Sequence, residues 1–99
     1  MGIDKNINAG ENRVSWRVNM TPSAARQYAS LPKPIQHRVL AILERLERWP
    51  GISGAKPLRG KLAGSYRVRT GDYRVQFRIR GDRVVVVERV GHRDGFYED

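Results

Sequence analysis

The chain has 99 residues, with 19 Lys and Arg against 10 Asp and Glu, a formal net charge of +9 and no cysteine. That length supports one core of a sheet with a few helices. The lack of thiols excludes disulfide staples and thiolate metal sites, no apolar run approaches the roughly eighteen residues of a membrane span, and a charge of this sign selects polyanionic partners, nucleic acid foremost.

In chain order, residues 1–13 are polar, rich in Gly and Asn and without periodicity. They predict a disordered or loosely attached tail ahead of a domain spanning 14–99. The opening has no apolar signal core, so a cytoplasmic protein with no membrane contact is expected. In "VSWRVNM", Val14, Trp16, Val18 and Met20 alternate with polar residues, the period of a half-buried strand. Thr21 suits a helix N-cap with Pro22 at the first helical position, opening a short helix to about Ala29. After "LPKP", a second helix is predicted from about Pro34 to Trp49. Ile35, Val39, Ile42, Leu43, Leu46 and Trp49 form its apolar stripe, and Arg38, Glu44, Arg45, Glu47 and Arg48 its polar side. Pro50-Gly51 ends it.

A Gly-rich loop, "GISGAKPLRGKLAG", leads into three strands with tight turns at Gly71-Asp72 and Gly81-Asp82. Tyr66 and Val68, then Tyr73, Val75, Phe77 and Ile79, alternate with Arg67 and Arg69, then Arg74, Gln76, Arg78 and Arg80. "RVVVVERV" supplies a last strand, buried on both sides in its middle. The expected fold class is therefore α+β: a small antiparallel sheet with two N-terminal helices packed on one face, in the order β-α-α-β-β-β. The helices cover the apolar face and leave the arginines facing outward together.

That face holds most of the excess charge. From Arg59 to Arg93 there are ten basic residues and three acidic ones. Like charges opposed across strands are destabilising, so a face of guanidinium groups calls for an anion, and arginine offers phosphate planar, bidentate donors. Solvated arginines that merely keep the protein soluble and blunt a sheet edge are the plainer alternative. Neighbouring Tyr and Phe rings would stack bases if any reached the same side.

"KPLRGKLAGSYRVRTGDYRVQFRI" followed by "VVVVERVGHRDGFY" resembles the RelE/ParE superfamily of bacterial toxins over about residues 14–97. The shared pattern is a Leu-x-Gly loop, a Tyr-Arg-x-Arg strand, a Gly-Asp-Tyr-Arg turn, and a closing Val-Gly-His-Arg before a Tyr. The resemblance implies a toxin of a type II toxin–antitoxin system with a cognate antitoxin partner, and operator DNA met only through that antitoxin. It implies one of two activities: metal-independent endoribonuclease cleavage of mRNA at the ribosomal A site, with rRNA contacts, or inhibition of DNA gyrase. A binding protein without catalysis is a third reading. Neither cofactor nor metal is expected. By the resemblance, the catalytic work falls on Arg67, Arg69, Arg74, Arg93 and Tyr97. Arg59, Lys61, Arg78 and Arg80 add phosphate contacts.

Well-studied RelE-like enzymes carry lysines where this chain has Arg67 and Arg69, and arginine does not give up its proton. The general base therefore falls to Tyr97, His92 or Lys61. His92, beside Gly91 at a strand end, equally suits a backbone hydrogen bond. Arg38 and Arg48, on the helix side, are expected to be dispensable.

Overall fold

The computed structural model describes residues 15–95. The expected tail, Val14 and Tyr97 lie outside the described residues. Within them the order is β1 (Arg17–Met20), α1 (Pro22–Ala29), α2 (Lys33–Leu46), β2 (Lys56–Pro57), β3 (Ser65–Thr70), β4 (Tyr73–Arg80) and β5 (Val84–His92). The α+β layout with two leading helices on one face agrees with the sequence. No helix among the described residues is long and apolar enough to cross a membrane.

Local signals explain most boundaries. Thr21 Oγ1 accepts from the Ala24 N–H at 3.0 Å, and Pro22 occupies the first helical position of α1. The α2 stripe is buried at Val39, Ile42 and Leu46. This helix stops three residues before the expected end, and Trp49 lies in the turn that follows it. There its ring packs edge-on against Tyr66 and Phe77, at centroid distances of 4.8 and 5.4 Å. Between β3 and β4, Thr70 pairs with Tyr73 across the two-residue turn Gly71–Asp72. Gly71 has φ 59°, the positive value that a II′ turn puts on its first central residue.

The sheet departs from the expected antiparallel one. It has five strands in the order β1-β5-β4-β3-β2, and β1 runs parallel to β5, with Arg17 opposite Val84 and Met20 opposite Val87. A parallel pair needs a long crossover, which the two helices begin. Trp16, Val18 and Met20 thereby pack against the same core as the helices. That core centres on Val39, Ile42, Leu46, Val68, Val75, Phe77, Val85, Val87 and Val90. Beyond the parallel pair, Gln27 of α1 closes the edge of β5, its Oε1 accepting from the Val90 N–H at 2.8 Å. The extra strand β2 pairs Lys56 with Arg67 and Pro57 with Tyr66.

Candidate functional site

Strand alternation puts Ser65, Arg67 and Arg69 of β3 on the face away from the helices, with Arg74, Gln76, Arg78 and Arg80 of β4. Pairing sorts them into rows. One row holds Arg69, Arg74 and Gly91, the next Lys56, Arg67, Gln76 and Arg89, and the third Ser65, Arg78 and Val86. Toward the β4–β5 turn, Arg17 and Arg80 flank Val84. The expected grouping of arginines on one face is therefore present. Its texture differs from the expected one, because Arg67 and Arg74 are only 5 % and 8 % exposed. Both lie on inner strands, where a long cationic side chain buries its stem and keeps part of its head toward solvent. Arg69, Arg78 and Arg80 are exposed.

The register between β4 and β5 slips at Gln76 and Phe77: Gln76 faces Arg89 while Phe77 faces Val87, leaving Glu88 as an extra residue. Such a bulge re-aims a side chain. Here it turns Glu88 onto the arginine face, where its carboxylate accepts from Ser65 Oγ at 3.0 Å, Gln76 Nε2 at 3.1 Å and Arg78 Nε at 2.9 Å. Burial on its own would raise the Glu88 pKa. The hydrogen bonds from Arg78, Gln76 and Ser65, with the Arg78 charge, outweigh it and hold the group below the usual carboxylate range. A carboxylate depressed in this way contributes stability that is present above its unfolded pKa and lost as pH falls through its lower folded value. Glu88→Gln is accordingly expected to flatten the acid limb of stability against pH, read from urea midpoints. An unchanged acid limb would mean that other groups carry it.

The remaining sequence-predicted residues separate. Arg93 sits just after β5, its N–H donating to the Asp72 carbonyl at 2.7 Å and its Nε 3.9 Å from Asp72 Oδ1. This fixes it at the β3–β4 turn, next to the Arg69–Arg74 row. Arg89 donates to the Gly95 carbonyl and so ties the same C-terminal turn to the face. His92 does not join them. It pairs with Tyr73, in a row of the helix-side face, and its ring meets Tyr73 edge-on at 5.3 Å. Its Nδ1 accepts from the Asp94 N–H at 3.2 Å, the backbone role. Arg59 and Lys61 are exposed on the loop between β2 and β3. Tyr66 and Phe77 stack on each other in the core at 5.6 Å, so neither ring is presented to a base. Arg38 is less remote than its helix suggests, since a Cβ at Gly71 would lie 3.6 Å from its Nη1.

Sequence reasoning placed Gln76 on this face without a role, and missed Lys56, Glu88 and Arg89 as members of the site. A two-residue strand leaves no periodic signal. Glu88 breaks the alternation of "VVVVERV" only when the bulge is known.

A family model described as the ParE toxin of type II toxin–antitoxin systems matches residues 18–95. Toxin RelG of Mycobacterium tuberculosis is 37 % identical over 84 residues, covering 83 % of this chain and 95 % of that protein. The crystal structure of the M. tuberculosis RelBE2 toxin–antitoxin complex contains a chain 38 % identical to this one, with a TM-score of 0.71 over 81 % of this chain and all of that one. The isolated Escherichia coli RelE toxin shares the fold at 21 % identity, with a TM-score of 0.67 over 79 % of this chain and 84 % of that one.

Proposed function

The chain belongs to the RelE/ParE superfamily of type II toxin–antitoxin toxins, and on that footing we propose that it is a metal-independent endoribonuclease that cleaves mRNA in the ribosomal A site. The observation that carries this reading is the direct opposition of Arg69 and Arg74 across β3 and β4, with Arg93 fixed at the adjoining turn. Opposed guanidinium groups repel. An anion bridging them relieves that repulsion, most of all a phosphate gaining charge in a transition state.

In metal-free cleavage the ribose 2′-oxygen attacks the adjacent phosphorus and the bond to the 5′-oxygen breaks, leaving a 2′,3′-cyclic phosphate and a 5′-hydroxyl. One proton leaves the 2′-hydroxyl and one reaches the 5′-oxygen. Arg67, Arg69, Arg74 and Arg93 hold the phosphate and offset its added charge. They keep their own protons throughout. Tyr97 follows two residues after Gly95, whose carbonyl Arg89 holds at this face, and is the residue we assign to proton transfer. The partners are a cognate antitoxin, as in the RelBE2 complex, and mRNA on the ribosome with rRNA contacts. Operator DNA is met through the antitoxin, in the cytoplasm.

Gyrase inhibition is the second reading, favoured by the ParE description of the matching family and by arginines at positions 67 and 69. Phosphate contacts carry no sequence information, so a site built on them depends on the ribosome to present its substrate. Expression without antitoxin is expected to arrest growth, with mapped 5′ ends inside translated frames at a fixed codon position. Equal cutting of untranslated RNA would remove the ribosome from the mechanism. Intact mRNA with lost gyrase supercoiling would put the second reading in its place.

A further inference from the structure

Arg78 stands in the middle of the arginine face, yet its surroundings are unlike those of Arg69. Its Nε lies 2.9 Å from Glu88 Oε2. Its Nη1 lies where a side chain on Gly64 would intrude, 3.1 Å from a Cβ built there, and Gly64 has φ +96°. One edge of the guanidinium is thus taken by a carboxylate and another lies against backbone that has no side chain. Glu88 is the only acidic residue on β1, β3, β4 or β5. It also engages Gln76 on the adjoining β4 and reaches across it to Ser65 on β3.

We propose that Glu88 takes Arg78 out of the phosphate-binding set and divides the face, so that a ribonucleotide strand seats on the Arg67–Arg69–Arg74 end and is turned away from the middle. The inference rests on the RNA reading above. Two rows of like charge would otherwise offer a flexible polyanion a continuous track from Arg74 to Arg80, about 20 Å at the rise of an antiparallel strand. A fixed negative charge within that track removes one attractive step and adds a repulsive one. The bulge is what brings the charge there, because regular alternation would assign the arginine face a single residue of β5 at this level.

Charge bookkeeping by salt dependence tests this. Each phosphate neutralised on a single strand contributes about −0.7 to the slope of log affinity against log salt. The probe is a short single-stranded 2′-O-methyl oligoribonucleotide, which the protein binds without cleaving. Glu88→Gln frees Arg78 and is expected to steepen the slope by about 0.7 and to raise affinity several-fold at low salt. The double variant Arg78→Gln/Glu88→Gln removes a pair of zero net charge and is expected to keep the parent slope. Arg69→Ala, the reference for a true phosphate contact, makes the slope shallower by about 0.7.

A double variant that loses slope as Arg69→Ala does overturns the inference and leaves the RNase reading standing. So does an unchanged slope in Glu88→Gln. If Glu88→Gln does not fold, as read by its melting transition, the double variant decides alone, since two neutral amides replace the ion pair and leave no unpaired charge. Failure of the parent protein to bind the oligonucleotide at any salt overturns the RNA reading and this inference with it.

Discussion

Arg74→Ala and Arg93→Ala are each expected to abolish growth arrest on expression without antitoxin, and to lower mRNA cleavage by about 10²- to 10³-fold, the loss that follows when one preorganised donor to a developing charge is removed. The two residues reach the same end of the face by different routes. Arg74 projects from an inner strand opposite Arg69, while Arg93 is held by the Asp72 carbonyl at the hairpin turn. Their controls differ accordingly. Arg93 is 59 % exposed in its side chain, so its removal leaves packing intact. Arg74 is 8 % exposed, so its variant is compared at matched folded fraction, from the melting transition. Arg48→Ala, exposed after α2, is expected to keep full toxicity. Arg38 is no longer a suitable control because it approaches Gly71. Full cleavage activity in both variants would mean that the arginine face is not the active site, and the RNase reading would be given up.

Phe77→Ala is the most damaging substitution expected for stability, at about 3–5 kcal/mol, a large share of the roughly 5–15 kcal/mol that holds a domain folded. The side chain is fully buried and packs against both Trp49 and Tyr66, at centroid distances of 5.4 and 5.6 Å. Truncation removes the ring on which both others rest. Phe77 also faces Val87, the residue just before Glu88 at the bulge, so the cavity opens beneath the residue that organises the opposite face. Urea denaturation checks this: a midpoint unchanged from the parent chain would show that the Trp49–Tyr66 pair closes over the gap without loss.

Much of this arrangement is written in local pattern. Thr21-Pro22 marks the start of α1, the Val39–Ile42–Leu46 stripe marks the buried side of α2, and Gly71-Asp72 with alternating Tyr, Val and Phe marks the hairpin. Each of these is decided by residues a few positions apart. What was not legible depends on partners distant in sequence. The parallel placement of β1 beside β5, the two-residue β2, and the turn that tucks Trp49 into the core are settled by tertiary packing. The β4–β5 turn shows the same limit on a small scale. Gly81 signals it, but the residues with positive φ are Asp82 and Arg83. At the site, alternation grouped the arginines of β3 and β4 on one face. It does not reveal that Arg67 and Arg74 are covered, that His92 falls on the helix side, or that a slip of one residue puts Glu88 among the arginines.

The parallel pair between β1 and β5 also governs when the molecule can exist. Residue 17 waits for residue 84 before its strand has a neighbour, and contacts of such separation are slow to form because loop closure precedes any gain. During synthesis the helices and the β3–β4 hairpin emerge first, with the apolar side of the sheet incomplete and Arg69 and Arg74 paired but unsupported. Until β5 has been made, there is neither a bulge nor a Glu88 to orient, and the hairpin turn at Asp72 has no Arg93 to hold. A nascent chain short of its last strand therefore lacks the ordered arginine face, which appears in one late step, when β1 and β5 meet in the sheet.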